Sequence, residues 1–161
     1  MKNEAERIAD QLKRAFDGEA WHGPSLKEAL NGMTVEQAVA HPIAGAHSIW
    51  ELVSHIGGWE GVVARRLNGE AVSEPDDGDF PEAPAIANPK AWDALLRKVY
   101  QAHERLVAQT AALTQADLRR RVDDKPYPAW FMAHGAVAHA LYHVGQIVLL
   151  KRLVKPYNCT T

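Results

Sequence analysis

The chain has 161 residues, about the length of one ordinary domain, with 47% hydrophobic and 24% charged residues, a balance that excludes disordered, collagen-like and coiled-coil classes. Eighteen Lys and Arg against 20 Asp and Glu leave a net charge of −2, which gives no support to nucleic acid or an anionic membrane as a partner. One cysteine, Cys159, excludes an intramolecular disulfide, and with a charged opening and no apolar run of roughly 18 residues the expectation is a single cytoplasmic domain over 1–161.

The pattern is helical nearly throughout. Ala5, Ile8, Ala9, Leu12, Ala15 and Phe16 recur at three- and four-residue spacing, one face of a helix, and Asn3 with Glu6 has the form of its capping box. After the break at Gly23-Pro24, Ser25 with Glu28 and Thr34 with Gln37 predict two short helices, closed by His41-Pro42 and Gly45. Ser48 with Glu51 opens a second long helix, running to about Leu67. From Glu70 to Ala87, Pro75, Asp76, Asp77, Gly78, Asp79, Pro81 and Pro84 leave no apolar periodicity, and the reading is a long exposed connection outside the core. Asn88 and Pro89 supply the N-cap and first position of a third helix, with Trp92, Leu95, Leu96, Val99, Leu106 and Leu113 as its buried stripe. Lys125-Pro126-Tyr127-Pro128 separates it from a last helix, Ala129 to Leu153, which stops before Pro156. That helix is apolar on most of its circumference and so is expected in the middle of the core. Four helices of about 16 to 26 residues predict an all-α four-helix bundle, with an irregular helical array as the alternative.

Eight histidines are the informative count, because imidazole serves both as proton shuttle and as metal ligand. His139 and His143 stand one turn apart on one face of the last helix, the H-x-x-x-H spacing that lets two rings aim at one ion. No Glu follows His139, so the zinc-protease motif is absent. The competing reading has one of the pair on the surface and one bonded in the core. His55 faces inward with Leu52, Trp59 and Val62, either as a third ligand or as a core histidine bonded to a carbonyl. His47 lies at or before the helix start and ranks below His55, and His103 on the inward edge of the third helix is the main decoy. His134 is turned about 140° from His139, while His22 and His41 sit in breaks. Glu51 is a cap, with orientation of His55 or a role as base as alternatives. Trp50, Trp59, Trp92 and Trp130 read as packing residues, Arg65, Arg66 and Arg119 to Arg121 as solvated faces, and Cys159 as a terminal spectator.

These residues carry a resemblance. Ser48-Ile49-Trp50-Glu51-Leu52-Val53-Ser54-His55-Ile56 resembles the second-helix segment of the DinB/YfiT-like superfamily of metal-binding helical bundles. His139-Ala140-Leu141-Tyr142-His143-Val144-Gly145-Gln146-Ile147 resembles its final-helix signature, H-x-x-x-H-x-G-Q-I, and Trp21, Ser25 to Leu30 and Thr34 fit its first connection. The resemblance implies a four-helix bundle, commonly a homodimer, in which His55, His139 and His143 hold one divalent ion. Zinc and nickel head the metals, and iron and manganese accept imidazole too. Where the family often carries Asp after the first final-helix histidine, this chain has Ala140. Some members transfer low-molecular-weight thiols, which implies a metal-dependent S-transferase acting on a thiol of the bacillithiol, mycothiol or glutathione type. The alternative is a metal-binding or stress-related protein without turnover. A cleft opening on the three histidines favours the first, and a site sealed by Trp or Phe the second.

Overall fold

Side chains that satisfy orphan backbone N–H groups set the helix starts. In a computed structural model describing residues 2–122 and 125–154, Asn3, Ser25, Thr34 and Ser48 each close a reciprocal capping box with Glu6, Glu28, Gln37 and Glu51. They open α1 (Glu4–Phe16), α2 (Leu26–Leu30), α3 (Val35–Val39) and α4 (Ile49–Leu67). Asn88 and Pro89 open α5 (Pro89–Ala111), and α7 (Ala129–Val154) is the last. A fifth box, Thr114 with Asp117, starts the short α6 (Gln115–Arg119), which the sequence reading missed because Asp stands where Glu or Gln is usual. Among the described residues there is no strand, and no helix is long and apolar enough to cross a membrane.

The four long helices form an all-α bundle in which α4 packs on α5 and α7, and α1 packs on the same two. The core is two apolar clusters. One joins Ile8, Leu12, Val63, Leu67, Leu106 and Met132, and the other joins Phe16, Val53, Ile56, Trp92, Val99, Val144 and Ile147. Between them, along α4, α5 and α7, lie the buried or half-buried His55, Glu60, His103, His139 and His143. The bundle therefore has a polar layer at mid-height, with every charged or imidazole group in it requiring a partner. Gly57 permits a close approach of α4 and α5 here: a Cβ on it would stand 2.5 Å from Val99 Cγ2 and 3.1 Å from Val99 Cα.

Three expectations are corrected. Segment 70–87 is irregular but not wholly outside the core: Pro75 is buried, and Phe80, Ala83 and Ala87 pack against the second cluster. Its anchors are polar, which is why hydrophobic periodicity did not reveal them. Trp59 Nε1 donates to Asp79 Oδ1 at 2.7 Å, Ala83 N donates to Glu51 Oε1 at 3.3 Å, and Arg66 donates to the carbonyls of Val72 and Ser73 at 2.7 and 2.8 Å. Arg66 is accordingly buried, not a solvated face. Helix α7 is not in the middle either. As a corner helix it covers α1, α2, α4 and α6 and leaves Tyr142, Leu149 and Leu153 more than half exposed, with Trp130 also at the surface. Pro156 and Cys159 lie outside the described residues.

Candidate metal centre

The capped start of α4 fixes the rotation that turns His55 inward, and the i,i+4 spacing on α7 brings His139 and His143 to meet it. One ring nitrogen from each of the three lies within 4.8 Å of the other two. The Nε2 atoms of His55 and His139 are 2.8 Å apart. Two imidazole nitrogens at that distance need a proton or a cation between them, since facing lone pairs repel.

Outer partners select the tautomers. His55 Nδ1 donates to the backbone carbonyl of Asp79 at 2.7 Å and lies 3.1 Å from its carboxylate. His143 Nδ1 donates to Gln146 Oε1 at 2.8 Å. Both bonds leave Nε2 as the nitrogen with a free lone pair. Burial, then the neighbouring His143 and His55, pushes the pKa of His139 down to about 4. Burial also lowers that of His143, against the opposing effect of the bond it donates to Gln146. Rings kept neutral at pH 7 are the form that binds metal. The donor set fits a divalent ion: three imidazoles from two rigid helices, His55 and His143 each oriented from behind.

The 70–87 segment, expected as an exposed connection outside the core, supplies part of the site's surroundings. Phe80 lies between two imidazoles, stacked on His55 at 3.9 Å and on His47 at 3.8 Å, nearly parallel to both. As the one aromatic in an acidic, proline-containing stretch it was the available signal. His47 is thus beside the site and not in the triad. Its Nδ1 is 3.3 Å from Glu51, whose carboxylate also accepts from Ser48 N and lies 3.3 Å from His41 Nε2. Burial raises the Glu51 pKa, but the Ser48 and Ala83 N–H groups, with His47 and His41, outweigh it and hold the carboxyl below its usual range. Glu51 caps α4 and pins the Phe80 segment, and its bonds do not reach His55. The decoy His103 pairs with Glu60, and His134 pairs with Glu4 at the surface. A cleft of about 230 Å³ opens beside His139, between Trp59, Tyr127, Phe131 and Met132. A larger cavity of about 470 Å³ between α4 and α5 does not reach the three histidines.

A family model, that of the DinB superfamily, matches residues 20–147 and so takes in all three histidines. No curated protein and no solved structure matches the chain.

Proposed function

The chain belongs to the DinB superfamily, and from that premise we propose that it holds one divalent ion, zinc or nickel, on His55, His139 and His143 and serves as a metal-dependent transferase of a low-molecular-weight thiol. The observation that carries the reading is the convergence of three imidazoles, one ring nitrogen of each within 4.8 Å of the other two. When bound, a divalent ion on three protein ligands supplies a Lewis acid with an open position that favours the anionic form of a thiol or water. The chain's own residues present Nε2 lone pairs, held in place by Asp79 and Gln146, while Phe80 shields the outer face of His55 from water. The cleft beside His139 gives a second reactant room to lie near the first, and holding two reactants together is itself a source of rate.

Phe80 favours a second reading. An aromatic ring laid on a ligand is also how a site is closed, and a metal-binding protein without turnover would have that cover. One experiment decides both points. Protein purified without a His tag is analysed for metal, then incubated with bacillithiol, mycothiol or glutathione and a chlorodinitrobenzene. The expected result is one divalent ion per chain, lost in His143→Ala, with conjugation that depends on it. Metal without conjugation above the His143→Ala level for all three thiols establishes the second reading, and absence of metal overturns both.

A further inference from the structure

Glu60 is the carboxylate of the polar layer, 2% exposed, and no step of the metal chemistry uses it. His103 Nδ1 lies 3.2 and 3.1 Å from its two oxygens, with the His103 ring stacked on Phe16 at 4.0 Å. One shared N–H is poor provision for a buried carboxylate, which has about four lone-pair sites to satisfy. Among the described residues no second donor reaches it. Glu60 is also among the residues that line the 230 Å³ cleft, together with Met132, Gly135 and His139. Trp59, Tyr127 and Phe131 form aromatic walls, and Arg66 stands over the Trp59 ring at 5.8 Å.

We propose that this cleft binds a compact, uncharged, mainly apolar ligand with one hydrogen-bond-donating head, and that Glu60, held from behind by His103, is the acceptor for that head. Size sets the class: an apolar cavity of about 150 Å³ takes a benzene ring, so the cleft accommodates a ring with a short polar substituent. The walls set the rest. Aromatic side chains favour a flat ring, the carboxylate repels anions, and Arg66 disfavours cations. The ligand's position beside His139 makes it the partner of whatever the metal holds, and in that respect the inference rests on the metal reading; binding to the cleft does not.

Phenol and anisole, alike except for the donor, are the probes. Each is titrated into metal-free and zinc-loaded protein, followed by the Trp59 indole N–H and Met132 methyl resonances, with metal content measured on the same samples. The expected result is phenol bound about tenfold more tightly than anisole in both forms, with the preference falling below about threefold in Glu60→Gln. A Cβ on Gly135 meets no atom within 4 Å, so a side chain can start there, and Gly135→Leu in the lining is expected to abolish binding of both probes while metal content stays unchanged. Equal binding of phenol and anisole, a preference that survives Glu60→Gln, or binding that survives Gly135→Leu overturns the proposal. A chain that binds phenol as described but takes no zinc overturns the metal reading alone.

Discussion

Replacing Phe80 with Ala removes the ring that lies between His47 and His55. Stacked aromatic pairs contribute about 0.5–1.5 kcal/mol each beyond their buried area, and Phe80 makes two, at 3.8 and 3.9 Å. The loss at His55 would be felt directly by a proposed metal ligand, because one face of the ring then has nothing to hold its angle. The Nδ1 bond to Asp79 remains, as do the anchors at Trp59 and Glu51, so the segment stays seated and the helices stay folded. About 1.4 kcal/mol of lost orientation is a tenfold rise in the zinc dissociation constant. Competition with a chromogenic chelator measures that constant, and far-ultraviolet circular dichroism checks the helices. Phe80→Leu, which keeps apolar bulk but not the stacking, is expected to fall between the two. A Phe80→Ala protein that binds zinc within twofold of the unmodified chain refutes the claim that this ring orients His55.

Acidification is expected to destabilise the metal-free protein. His139 has its pKa pushed down to about 4 in the folded chain against an ordinary 6.5, so the unfolded chain binds more protons in that window and stability falls as pH drops from about 6.5 to about 4. Urea denaturation at pH 7, 6 and 5 checks this, and a His139→Gln variant with the same pH slope would show that the slope arises elsewhere. Helix α7 exposes Ala138, Tyr142, Gly145, Leu149 and Leu153 in one stripe, and we propose that a second copy covers it as a homodimer. Light scattering at micromolar concentration tests this, and a mass near 17.8 kDa would rule it out.

Much of this architecture was legible because helix starts and buried faces are local signals. Asn3, Ser25, Thr34 and Ser48 each announce a helix within four residues, and the 3.6-residue period puts His55, His139 and His143 on inward faces. What failed to show was set by contacts between distant segments. Asp79 and Phe80 sit in a stretch without periodicity, and only the folded chain brings them 24 and 25 residues back onto His55. The partner of Glu60 is likewise distant, since His103 on α5 lies 43 residues further along the chain. The outward face of α7 is a failure of another kind: an apolar circumference says that a helix has apolar surface to bury, but not which of its faces the rest of the chain covers.

The polar layer joins residues from the second and last long helices, and His55 and His139 are 84 positions apart in the chain. An ion gripped by both would be a cross-link in a sequence whose single cysteine cannot make one within the chain. By the relation used for disulfides, closing a loop of that length in the unfolded ensemble corresponds to about 4.5 kcal/mol, an upper figure for a reversible clasp. His139 and His143, on one helix, can meet an ion as soon as that helix forms, whereas His55 arrives only when the two ends of the bundle dock. Chelation would then do to this bundle what reduction does to a disulfide-stapled domain.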